Sequence, residues 1–169
     1  ADAAPVEHCA VAGDETLVPL GPVRELMTGA IAATATPWLG LEFGAAAQAH
    51  THGSVGAAAF ASGNLRQALQ TVARFAPLRT RVLQFEWCDR KDGGELVIAA
   101  SPGLDEVRGL AFDAMLVIVE RLLQSLSGAS LRQARYRLPG PAPAWVERYR
   151  DHLEGQVRFD RDARLRLWF

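Results

Sequence analysis

Lysine is almost missing from this sequence: of 18 basic residues, only Lys91 is not arginine. Together with the abundance of alanine, this points to a GC-rich bacterial coding sequence more than to any chemistry. Cysteine is scarce as well. Cys9 and Cys88 are far apart and sit in no metal-binding or redox spacing. The start carries no secretory-signal pattern, so both are expected to be reduced thiols in the cytoplasm. Long apolar runs are absent too. The longest, AFDAMLVIVERLL at 111–123, is broken by Asp113, Glu120 and Arg121, whereas a membrane span needs about 20 apolar residues. Charge of one sign is also lacking. A net charge of -1 provides no overall field for nucleic acid or an anionic membrane. Residues 121–169 hold ten Arg against five acids, but the acids interrupt the basic runs. These Arg therefore read as solvated faces of strands and helices.

Enzyme signatures are missing. There is no GxSxG nucleophile elbow, no phosphate-cradling GxxxxGK[ST], no dinucleotide GxGxxG and no HExxH. No catalytic residue, cofactor or metal is expected. The segment AHTHG, with His50 and His52 two residues apart, is the nearest thing to a metal half-site, because on a strand both rings would share a face. A third ligand is wanting, since neither His8 nor His152 is brought in by spacing. The plainer reading is a polar turn leading into a helix. Cys88, beside Asp89, would be a nucleophile only with an imidazole alongside. A small metal-dependent enzyme built on His50, His52 and Cys88 stands as the alternative to a non-enzymatic reading.

What is present is a chain of 169 residues, 49% hydrophobic and 22% charged, long enough to enclose a real core in one domain. Residues 1–18 show no clear period and read as a loosely structured lead-in; 19–169 read as a single domain. Pro22 suits a first helical turn, and Val23, Leu26, Met27, Ala30 and Ile31 recur at helical spacing after it. WLGLEFG reads as a short extended or turning segment. A small-residue helix follows at 54–61, then a helix with Asn64 as its cap and Leu65, Ala68, Leu69 and Val72 on one face, ended by Pro77. VLQFEW and ELVIAA flank the turn signal DRKDGG and make an antiparallel hairpin. A helix then runs from near Asp105 to Ser127, before Gly128, apolar around nearly its whole circumference. LRQARYRL reads as a strand, AWVERYRDHLEG as a short helix, and QVRF and RLRLWF as two further strands.

This order predicts an α+β domain: a largely antiparallel sheet covered by helices, with one long buried central helix. Two readings of its interior stand open. One is a closed core with its Arg in solvent. The other is a cavity for a small molecule walled by Phe85, Trp87, Phe112, Met115 and Tyr136, with Arg135 reaching an acidic group. The all-round apolarity of the long helix also suggests a self-association face at Val119, Leu122, Leu123 and Leu126, and marks that helix as the element that would change with a ligand.

Two stretches resemble a known family together. WLGLEFGAAAQAHTHGSVGAAAFASGNLRQALQTVARF is similar to the effector-binding N-terminal domain of AraC/XylS-type bacterial transcription regulators of the arabinose-binding-like branch, through Gly40-Leu41, Gly44, His52-Gly53, Val55-Gly56, Ser62, Leu65, Ala68-Leu69 and Arg74-Phe75. WVERYRDHLEGQVRFDRDARLRLWF looks like that branch's later segment through Tyr149, Leu153, Gly155, Val157, Phe159, Leu167 and Phe169. The resemblance implies a domain that senses a small-molecule effector, dimerises, and acts on DNA only through a C-terminal helix-turn-helix region with no counterpart in these residues. It assigns no catalytic or metal role to the histidines of AHTHG. A ligand-free dimerisation scaffold remains the third reading.

Overall fold

The computed structural model describes residues 18–47, 53–128 and 130–169. Helix α1 spans Leu20–Thr34, α2 Leu39–Ala46, α3 Gly53–Phe60, α4 Leu65–Phe75, α5 Arg108–Ser127 and α6 Tyr149–His152. The strands are β1 Leu83–Arg90, β2 Gly93–Ala100, β3 Arg135–Pro139, β4 Gln156–Asp160 and β5 Leu165–Trp168. They form one sheet in the order β1-β2-β5-β3-β4. Every neighbouring pair is antiparallel except β3 with β4. The α+β architecture with a largely antiparallel sheet and a long central helix is the one the sequence predicts.

Period-2 alternation decides the two faces of the sheet. Leu83, Phe85, Leu96, Ile98, Tyr136, Leu138, Leu165 and Leu167 point inward, and Arg135, Arg137, Arg158 and Arg166 point outward. Helix α5 lies against the inner face and contributes Phe112, Leu116, Val119 and Leu123 to the same core. Full burial of side chains of this size contributes roughly 1.5–3 kcal/mol each. Its end is set by Gly128 at φ 60°, whose N–H bonds back to the Gln124 carbonyl at 3.0 Å. That left-handed conformation favours glycine.

The segment WLGLEFG is a helix, not the extended or turning piece its composition suggests. Gly40 and Gly44 stand four residues apart on α2 and lie against the α5 backbone. A Cβ on Gly44 would come within 2.6 Å of the Ala114 carbonyl oxygen and 2.8 Å of the Val117 Cβ. Close contact between the two helices outweighs the poor helix propensity of glycine. Asn64 caps α4 as expected, accepting a bond from the Gln67 N–H at 3.0 Å. The late segment 144–155 holds only a 3-10 turn at Val146–Arg148 and the four-residue α6. Residues 131–134 form a turn before β3, closed by the Ala134 N–H on the Leu131 carbonyl at 2.8 Å.

The outer parts are held less tightly. No residue of α1 is fully buried, and Leu26 at 73% and Leu78 at 71% exposure are the most exposed large apolar side chains described. Among the described residues no helix is long and apolar enough to cross a membrane.

Candidate effector groove

The sequence of α5 places Ala111, Met115 and Ile118 at i, i+4 and i+7, one stripe of a helix whose other stripes are committed to the sheet and to α2. Opposite that stripe lie Leu20, Val23 and Met27 of α1, at the i, i+3 and i+7 spacing that gives α1 its apolar side. Phe43 of α2, Leu104, and Val82 with Leu83 at the start of β1 complete the walls of a groove of about 610 Å³. Small-molecule sites span about 300–1,000 Å³ and are mostly apolar with a few polar groups, and this groove fits both criteria. Ala111 and Ala114 leave the room, because a larger side chain at either position would fill it. Polar groups are confined to one rim, where Arg79, Thr80 and Arg81 precede β1. Arg24 of α1 and Glu106 approach at 4.0 Å, a loose, solvated pair.

The residues proposed from sequence as a ligand site do not share one cavity. Met115 lines the groove. Phe112 is fully buried against the sheet, and Phe85 bridges the main core and the small cluster formed by Ala59, Ala68, Val72 and Leu122. Trp87 folds over Gly94 and donates to the Asp89 carboxylate at 2.9 Å, the same oxygen that Arg66 holds. Arg135 lies on the opposite, outward face of the sheet, beside a smaller cleft; Tyr136 borders the same cleft while its ring belongs to the core. Val119, Leu122 and Leu123 are buried inside the domain, and Leu126 packs on the cluster formed by α3 and α4. The part of the α5 circumference that carries Val119, Leu122 and Leu123 is thus covered by its own chain, and the stripe of Ala111, Met115 and Ile118 is the part left partly exposed.

Two carboxylates of α5 are buried. Asp113 accepts a bond from the Tyr149 hydroxyl at 2.6 Å, and desolvation pushes its pKa up to about 6. Glu120, also raised by desolvation, accepts from the Glu154 N–H and from Gln124 at 3.2 Å, with the Tyr136 hydroxyl facing it. Burial beside these acids raises both tyrosines well above the ordinary phenol range. The two acids sit seven residues apart and tie 149–155 to α5. Their partners are internal, so the arrangement is a structural staple.

Among the described residues no group of three or more His, Cys, Asp or Glu is arranged to hold a metal ion. His50 and His52 lie outside the described residues. Cys88 is partly exposed, and desolvation and the neighbouring Glu86 raise its thiol, the reverse of an activated nucleophile. His152 faces Glu42 at 3.5 Å on the side of the staple.

Sequence reasoning missed most of the groove: Val23, Met27, Phe43, Val82, Ala111 and Ile118. The α5 stripe was visible as spacing, but α5 is apolar on every side, so no stripe stood out. The contribution of the 79–83 segment has no sequence signal.

A sequence profile described as the arabinose-binding domain of AraC transcription regulator, N-terminal, matches residues 3–168, and the chain belongs to that family. Among solved structures, the crystal structure of the transcriptional regulator CdpR from Pseudomonas aeruginosa is similar in fold. Its TM-score is 0.65 at 15% identity, with 91% of this chain and 56% of that chain covered. This chain therefore spans about half the length of that regulator, and at this identity the likeness is one of fold. No curated protein sequence matches. Family and fold are those of a regulator's effector-binding domain.

Proposed function

We propose that this domain senses a small, largely apolar effector in the groove between α1 and α5, that it self-associates, and that it controls DNA binding by a C-terminal region of the full regulator. The observation that carries the reading is the groove itself: about 610 Å³, walled by apolar side chains from α1, α2, β1 and α5, in a domain of this family. A ligand acts only through a difference in its affinity for two arrangements. Helix α1 is the natural element to respond, since none of its residues is fully buried and an effector would add apolar contact to Leu20, Val23 and Met27, of which Leu20 and Met27 are only partly buried against the core. Helix α5, packed on two sides, would serve as the fixed wall.

The test is thermal-shift screening of a panel of amphipathic metabolites, followed by calorimetry of any hit on the wild type and on Ala111→Trp. Ala111 is partly exposed and lines the groove, so the indole fills it without entering the core. Loss of binding with an unchanged circular-dichroism spectrum is expected. An effector that binds Ala111→Trp as tightly as wild type would refute the groove, and a panel without any shift would favour the ligand-free scaffold.

A further inference from the structure

We infer that the outward face of the sheet carries a second, anion-binding site, built from Arg135, Arg137 and Arg158 with Trp168 and Gln156, that takes the phosphate group of a small molecule.

The register sets this up. Arg137 is directly opposite Arg158 on β4 and Arg166 on β5, while Arg135 is directly opposite Gln156 and Trp168. Like charges directly opposed across strands are destabilising, so each guanidinium needs a counter-charge. Arg166 has two, Glu95 and Asp162. Arg137 has Asp160 at 3.5 Å and stacks with its guanidinium carbon 5.3 Å from the Trp168 ring centre. The side chains of Arg135 and Arg158 make no hydrogen bond or ion pair with any described residue. Glu86 also points to this face, but from β1 at the far edge of the sheet; the acids nearer these arginines are engaged. Glu95 is held by Arg90 and Arg166, Asp162 by Arg164 and Arg166, and Glu154 by Ser130 and the Leu131 N–H.

Two positive charges are therefore left uncompensated around a concavity of about 260 Å³. Guanidinium forks match phosphate oxygens geometrically, and two or three of them converging favour a dianion over a single carboxylate. The Gln156 side chain adds a neutral amide at the rim and Trp168 an apolar wall. The cleft is distinct from the effector groove, which lies on the other side of the sheet.

Titration of the 169-residue protein with inorganic phosphate and with ribose 5-phosphate tests this by calorimetry and thermal shift, with chloride holding ionic strength constant. Saturable one-to-one binding is expected. Removing both unpaired guanidiniums in Arg135→Gln/Arg158→Gln should weaken it by about tenfold or more, as expected for lost charge-assisted hydrogen bonds. Arg150→Gln, an exposed Arg paired with Glu147 elsewhere, should leave it unchanged. Comparable affinity for both probes would identify free phosphate as the ligand, and a clear preference for the ester would identify a phosphorylated metabolite. Absence of saturable binding for both, or equal loss in Arg150→Gln, overturns the site.

Discussion

The contact between α2 and α5 allows a prediction whose sign is decided by geometry. Replacing Gly44 with alanine raises intrinsic helix propensity by about 1 kcal/mol, which alone would stabilise the protein. The new Cβ, however, would lie 2.6 Å from the Ala114 carbonyl oxygen and 2.8 Å from the Val117 Cβ. Favourable carbon contacts begin near about 3.5 Å, so α2 would have to retreat by most of an ångström from a helix packed on the sheet. Overpacking of this kind costs about 1–3 kcal/mol, and set against the propensity gain we expect a net loss of up to about 2 kcal/mol. For a domain of this size that is a melting temperature lower by up to roughly 8 °C. Gly29, in α1, supplies the control. Nothing lies within 4 Å of the point where its Cβ would stand, so Gly29→Ala should gain about 0.5–1 kcal/mol. Urea denaturation of the two variants and the wild type, followed by circular dichroism, reads both signs. Because Phe43 and Ala114 also line the groove, Gly44→Ala should in addition weaken effector binding. If Gly44→Ala were stabilised as much as Gly29→Ala, the close approach of the two helices would be wrong.

Two further predictions concern buried charge and exposed apolar surface. Asp113 has its pKa raised to about 6, against 3.8 in the unfolded chain. Its contribution to stability is therefore fully present below pH 3.8 and is lost as pH rises through 6, by about 3 kcal/mol in all. Asp113→Asn, whose amide oxygen still accepts from Tyr149, should remove that fall; urea midpoints measured in small pH steps across this range check it, and an unchanged slope would refute the assignment. Leu26→Glu should shift any dimer toward monomer in sedimentation velocity, because Leu26 is the most exposed large apolar side chain described. A dimer untouched by it would move the interface away from α1.

The sequence made much of the architecture legible, for physical reasons. The β1–β2 hairpin announced itself because alternation and a polar, Gly-rich turn are local properties. The Asn64 cap did so because the side chain bonds three residues away. The long helix was visible in its length and in Gly128. Helix α2 was not, since its two glycines are poor helix formers and their value lies in a neighbour distant along the chain. The site was less legible still. Phe112, Val119, Leu122 and Leu123 are apolar in the way a pocket wall or an interface would be, and nothing in their identity distinguishes these from a closed core.

Composition, periodicity and capping thus determined by themselves that this chain makes a largely antiparallel sheet with a long apolar helix, and its motifs pointed to a regulator's sensing domain. Only the tertiary structure decided which stripe of α5 stays uncovered, which glycines are contact points, and which arginines lack a counter-charge. Backbone preference and alternation are encoded within a few residues of each position. Coverage of a helix face and pairing of a charge depend on what distant elements bring to it, and those terms are set only when β5 inserts between β2 and β3 and α2 docks on α5.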